Sequence, residues 1–163
     1  MVNVGKYENL ILVLCEKLNG KFEGKVKLYK MLYFIDFANY EYKETAASIT
    51  NDKYKAIQMG PAPCNVEKIL TNMAKNKTIK ITTSKNKHEH DTFIFSSTKK
   101  YNPKVFSSDE LKIINFVCKK YINLTGEELI AISHSQAPWI GTPQKEIIDY
   151  NLSFYRETNF NGI

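Results

Sequence analysis

The sequence contains a single arginine, Arg156, and a single tryptophan, Trp139, among 163 residues. So little arginine argues against sequence-specific reading of duplex DNA, because guanine is most often recognised in the major groove by bidentate arginine. Only three cysteines occur, Cys15, Cys64 and Cys118, each alone in an apolar context. An odd number of scattered thiols provides neither a disulfide framework nor a zinc site and suits a reducing compartment. Also missing are a Cys-x-x-Cys pair, a glycine-rich phosphate loop, a Walker motif and a nucleophile elbow, so the usual nucleotide-binding and hydrolytic signatures cannot be assembled. No apolar run reaches the roughly 18 residues that a spanning helix requires, and the first residues lack the basic flank and apolar stretch of a signal peptide. These absences predict a cytoplasmic protein with no cofactor, no metal and no membrane partner.

What is present is ordinary for a folded domain. Apolar residues make up 43% and charged residues 25% of the chain, and its length fits one domain over residues 1–163 that buries a core without a metal or disulfide staple. The net charge of +6 is uneven, since residues 67–104 hold nine lysines against three acids. Lys77, Lys80, Lys85 and Lys87 lie in that segment. A solvated lysine-rich surface explains them, and the alternative is a nucleic-acid-binding regulator that contacts phosphate with strong salt dependence. The element order, helix, helix, strand, helix, hairpin, superficially resembles a winged helix and keeps that alternative open.

Tyr7, Leu10, Ile11, Leu14 and Leu18 recur at helical spacing and predict a helix over residues 6–18, stopped at Asn19-Gly20. A second helix, over about 25–44, is apolar on most of its circumference and therefore belongs at the centre of the fold. A strand is predicted near 54–59, followed by the extended Gly60-Pro61-Ala62-Pro63, with Pro63 suited to the first position of a helix striped by Val66, Ile69, Leu70 and Met73. β-Branched and aromatic runs at 78–83 and 92–97 predict a hairpin. Ser107 with Glu110, and Thr125 with Glu128, read as capping boxes of two further helices, the second ending before Pro138. Thr142-Pro143 is expected to open a last helical turn with Ile147 and Ile148, and residues 151–163 to form a flexible tail. The fold class is α+β: a mainly helical domain around a buried central helix, with a small antiparallel sheet.

Three places invite chemistry. His134, flanked by Ser133 and Ser135 and followed by Pro138-Trp139, has the residue types of a catalytic corner. It lacks an orienting carboxylate and a correctly directed nucleophile, so it reads as a helix-end residue that caps carbonyls, gains from the helix dipole and packs on Trp139. His88 and His90 with Glu89 and Asp91 superficially suggest a metal site, but they fall in the hairpin loop without further ligands. Asp36 lies among Tyr29, Tyr33 and Tyr40 on the helical wheel. It is either satisfied by tyrosine hydroxyls or Lys30, or it marks an aromatic-lined recognition recess.

The run Lys27-Leu28-Tyr29-Lys30-Met31-Leu32-Tyr33-Phe34-Ile35-Asp36-Phe37 resembles the opening motif of the SocA-like Panacea antitoxin domain, also found in phage-associated GepA-type proteins. Tyr54-Lys55-Ala56 through Gly60-Pro61-Ala62-Pro63, and Glu128-Leu129 through Ser133-His134 and Pro138-Trp139, resemble its later motifs in the same order. Tyr29, Met31 and Ala62 depart from the family's commoner residues. The resemblance implies a non-enzymatic bacterial or prophage antitoxin that binds a cognate protein toxin encoded in an adjacent reading frame, or a proteolytic adaptor that delivers that toxin. Because an aromatic-rich recess with a few polar groups suits recognition, the partner-binding surface is expected to be drawn from Tyr29, Tyr33, Asp36, Gly60, Pro61, His134 and Trp139.

Overall fold

Every residue from Lys30 to Tyr40 is buried, and this run explains how the chain is arranged. The computed structural model describes residues 1–43, 47–85 and 91–163. Lys25–Lys43 forms helix α2, and a helix buried on all sides needs neighbours all round it. Those neighbours include helix α4 (Ser108–Tyr121), helix α5 (Gly126–His134), strand β3 (Gly60–Pro63) and a 3-10 helix at Tyr150–Tyr155. Phe34 of α2 stacks on Tyr121 of α4 with ring centroids 4.5 Å apart.

Helix α1 (Val4–Lys17) starts with Asn3 accepting from the Lys6 N–H. It stops where Asn19 and Gly20 take left-handed backbone conformations. Both capping boxes expected from the sequence form, Ser107 with Glu110 and Thr125 with Glu128. Glu110 also accepts from Lys6 Nζ at 2.6 Å, tying α4 to α1. In helix α3 (Val66–Lys75) all four stripe residues are buried.

The predicted hairpin is present as β4 (Ile79–Lys85) and β5 (Asp91–Ser97). A short strand not anticipated from sequence, β1 (Lys21–Glu23), pairs with β5, so the sheet order is β1-β5-β4. Three residues are too few to show a period of two, which is why β1 escapes a pattern reading. Phe22 lies opposite Phe95, which lies opposite Ile81, and this row faces the core.

The strand at Tyr54–Ile57, β2, does not join that sheet. It pairs with β3 in a separate two-stranded sheet. Along its other side residues 145–148 return: the Lys145 N–H donates to Ala56 O at 2.6 Å, and the Ile148 N–H to Tyr54 O at 2.8 Å. The helical turn expected from Thr142-Pro143 is therefore absent, because these backbone groups are committed to β2. Pro63 likewise ends β3 and does not open α3, which begins three residues later behind Asn65; the Asn65 side chain donates to Asp52 at 2.6 Å. The stretch 151–163, expected to be a tail, packs against α2 and α4. Arg156 lies over the Tyr33 ring, Thr158 donates through N–H and hydroxyl to Glu41, and Phe160 packs on Tyr42 and Phe116.

Candidate functional site

Helix α5 ends at His134, and Ser135 and Gln136 close it. The Ser135 N–H reaches Ala131 O and Ile132 O, its hydroxyl donates to Ile132 O at 2.8 Å, and the Gln136 N–H goes to Ser133 O. His134 therefore does not cap the carbonyls, contrary to the expectation from sequence. Its ring stacks on Trp139, with centroids 3.9 Å apart and planes 21° from parallel, and its buried Nε2 has no hydrogen-bond partner among the described residues. Burial first, and then the charge of Lys30, hold its pKa below the ordinary histidine value. A neutral ring gains little from a helix C-terminus, so stacking is what positions it. Pro138 lies in the first turn of a short helix, α6 (Ala137–Ile140), where its missing N–H costs nothing. That turn swings Trp139 across to β2, where its Nε1–H donates to Ile57 O at 3.1 Å.

The Ser133 hydroxyl donates to Ile130 O at 2.8 Å within its own helix. Its proton is thus directed at the backbone and away from His134, which is the wrong arrangement for a nucleophile and its base.

Beneath this corner lies Lys30, 1% exposed, whose Nζ donates to Pro61 O at 2.7 Å. Proline's carbonyl still needs a partner, and α2 supplies it with a lysine for which no carboxylate partner is present among the described residues. Gly60, with φ of +88°, makes room: a Cβ there would stand 2.5 Å from Ser133 Oγ and 2.9 Å from Lys30 Cε. Burial lowers the Lys30 pKa from 10.5 to about 7. Between those values the unfolded chain holds a proton that the native protein has released, so native stability rises with pH from about 7, by up to about 1.4 kcal/mol per pH unit. Burial raises the Cys15, Cys64 and Cys118 thiols above their ordinary value of 9 and so works in the opposite direction at higher pH. The clean window is therefore about pH 7 to 8.5. Urea unfolding across it should show the wild type gaining stability with pH, while Lys30→Met shows a flatter dependence; equal slopes would mean that Lys30 does not titrate there.

Asp36 has no exposed surface. It accepts from the Thr50 N–H at 2.9 Å, from the Thr50 hydroxyl and from the Tyr54 hydroxyl at 2.8 Å. The donors are thus not Lys30 and not the tyrosines of its own helix. Tyr29 donates to Glu67, Tyr33 to Gln136 at 3.0 Å and Tyr40 to Asn151 at 3.0 Å. The aromatic recess imagined around Asp36 is filled by the chain itself: Phe37 stacks on Tyr150 at 4.3 Å, and Tyr54 meets Tyr33 edge-on at 5.9 Å.

Of the seven residues singled out for partner contact, Tyr33, Asp36, Gly60 and Pro61 are buried and act on the surface only through what they hold in place. Tyr29, His134 and Trp139 are half-buried. Tyr29 belongs to a different patch, with Glu67 and Lys25. His134 and Trp139 come together, with Gly60 and Pro61 behind them. Sequence reasoning missed the outer border of this corner, a recess of about 480 Å³ lined by Ile57, Gln58, Trp139, Gln144 and Lys145. Only the assembled fold unites 57–58 with 139–145. Lys77, Lys80 and Lys85 are exposed. Lys87, His88 and His90 lie outside the described residues. Among the described residues no cluster of three metal-ligating side chains occurs, and no helix is long and apolar enough to cross a membrane.

The chain matches the family model described as antitoxin SocA-like, Panacea domain, over residues 28–140. The match runs from the start of the buried core of α2 to the end of α6 and so takes in Lys30, Gly60, Pro61, His134 and Trp139, while Gln144 and Lys145 of the recess lie beyond it. Neither a curated protein nor a solved structure matches the chain. With most of its length matched, from the Lys30-bearing helix to Trp139, the protein belongs to the SocA-like Panacea antitoxin domain family.

Proposed function

We propose that the protein is the antitoxin of a bacterial or prophage toxin–antitoxin pair and neutralises its toxin by direct, non-catalytic binding. The match to an antitoxin family is the observation that carries this reading. The surface of the corner supports it. Ile140 is 65% exposed, Met59 47% and Ile147 44%; Ile140 directly follows Trp139, Met59 follows Gln58 of the recess lining and Ile147 comes two residues after Lys145. Large apolar side chains left open beside a half-buried indole suit a protein interface. The Ser133 hydroxyl and the Lys30 amine are spent on backbone carbonyls within the corner, whereas Gln58, Gln144 and Lys145 border the recess.

Co-expression with the protein encoded in the adjacent reading frame tests the proposal. Growth should be restored, and the two chains should purify together; no rescue and no complex would refute it. Repeating the rescue in a host lacking its ATP-dependent proteases separates blocking from delivery. Direct blocking persists there, whereas rescue by a proteolytic adaptor is lost.

One observation favours a second reading. On the outer face of the three-stranded sheet Lys21 and Lys80 flank Ser96, and exposed Lys77 stands just before β4. Such a face can hold nucleic-acid phosphates without reading sequence. Binding of a random duplex that falls steeply between about 50 and 200 mM salt, and that Lys80→Glu weakens, would support it. Absence of binding at the lower salt would end it.

A further inference from the structure

The recess beside Trp139 has a chemical character of its own. Ile57 and the indole provide its apolar surface, and Gln58, Gln144 and Lys145 its polar border. His134 covers one face of the indole and does not line the recess, so the tryptophan is backed by one ring and open toward the space.

Among the described residues Lys145 is the only charged side chain lining the recess. Lys55 stands exposed nearby on β2, bridged through its backbone to Ile147. Glu146 follows Lys145 in sequence but does not line the space, and its carbonyl is taken by the Ala56 N–H at 2.9 Å. Lys145 also has φ of +72°, a left-handed conformation that a lysine adopts only at a cost. The 2.6 Å hydrogen bond from its N–H to Ala56 O holds it there.

We propose that this recess receives an aromatic or large apolar side chain from a segment of a partner protein that carries carboxylates beside that anchor. The anchor packs on the open face of Trp139 and on Ile57. The flanking carboxylates meet Lys145 and Lys55, and the glutamine side chains of 58 and 144 are placed to bond the partner's backbone. This names the chemistry of the partner and rests on the reading of the protein as a toxin-binding antitoxin.

Trp139 is the only tryptophan in the chain, so its emission reports on the recess directly. Random dodecapeptides displayed on phage would be panned on the full-length protein. The enriched sequences should carry a phenylalanine, tyrosine or leucine next to aspartate or glutamate. A synthetic peptide of that sequence lacking tryptophan should shift Trp139 emission saturably, and Lys145→Glu, an exposed change, should weaken its binding by about tenfold. Enrichment of basic or uncharged sequences, binding without a change in emission, or equal binding to Lys145→Glu would overturn the proposal. So would phenylacetate alone shifting the emission as strongly as the peptide, since that describes a small-molecule site. Neutralisation in the co-expression assay separates this inference from its basis. Toxin neutralised equally well by wild type and Lys145→Glu overturns the recess as the contact and leaves the antitoxin reading intact, whereas no neutralisation by either overturns the antitoxin reading itself.

Discussion

Gly60→Ala is expected to destabilise the protein by about 3 kcal/mol, combining a left-handed backbone cost of about 1–2 kcal/mol with overpacking of about 1–3 kcal/mol. The φ of +88° is one that L-residues rarely adopt, and the added Cβ would lie 2.5 Å from Ser133 Oγ and 2.9 Å from Lys30 Cε. Neither neighbour can yield freely. Ser133 is buried and hydrogen-bonded to Ile130 O, and Lys30 is buried and bonded to Pro61 O. Gly20→Ala is the matched comparison, because its φ of +87° is almost the same while its Cβ would meet only Ser97 Oγ at 3.6 Å. Gly20→Ala should therefore carry the backbone cost alone. Urea midpoints at constant slope give both values, and equal losses at the two sites would show that crowding at Gly60 adds nothing. For a chain of this size the Gly60 change corresponds to a melting temperature lower by about 6–12 °C.

Asp36→Ala should cost still more, about 4 kcal/mol, because it strands buried donors as well as removing an acceptor. The Thr50 N–H, the Thr50 hydroxyl and the Tyr54 hydroxyl all point at this one carboxylate, and Asp36, Thr50 and Tyr54 are all buried. Removing single donors is milder: Tyr54→Phe and Thr50→Val should each cost about 1–3 kcal/mol. The carboxylate also has a pH signature. Burial raises its pKa from 3.8 to about 6, against the pull of the Thr50 and Tyr54 hydrogen bonds. Between about pH 4 and 6 the native protein holds a proton that the unfolded chain has lost, so this group's contribution falls as pH rises through that window. The Asp36→Asn variant, which cannot titrate, should lose that component of the pH dependence. A wild type and an Asp36→Asn protein with parallel stability profiles from pH 4 to 6 would contradict the assignment.

These two sites show what a sequence can and cannot disclose. Local signals were readable. The all-round apolar character of α2 gave its central place, the two capping boxes gave the starts of α4 and α5, and β-branched runs gave the β4–β5 hairpin. Some misreadings are local, such as the helix end closed by Ser135 and Gln136 and not by His134; the larger ones involve partners distant in the chain. Ile147 and Ile148 look helical beside Thr142-Pro143, but the backbone of 145–148 is claimed by β2 some ninety residues earlier. For Asp36 the sequence leaves open tyrosine hydroxyls, Lys30 or a recognition recess; its own helix carries Tyr29, Tyr33 and Tyr40 to other acceptors, and Thr50 and Tyr54 serve it instead. Arg156, the single arginine, packs its side chain against Tyr33 and Glu41, which nothing local in the C-terminal stretch foretells. The Trp139 recess could not be read at all, because its two halves, 57–58 and 139–145, meet only when α6 folds back onto β2.

The corner from Ser133 to Trp139 therefore works as a joint. A neutral histidine stacks on an indole that is bonded to β2, with Lys30 and Gly60 filling the space behind them. Its inner side fixes the fold, and its outer side carries the open apolar residues.

The most direct test of that division is amide hydrogen exchange on the protein alone and mixed with the protein encoded by the adjacent reading frame. Added protection should appear at Ile57 to Gly60 and from Trp139 to Ile147, with the outer face of the β1-β5-β4 sheet unchanged. Protection confined to that sheet face, or none anywhere in a mixture in which the toxin is neutralised, would contradict direct toxin binding at the Trp139 corner.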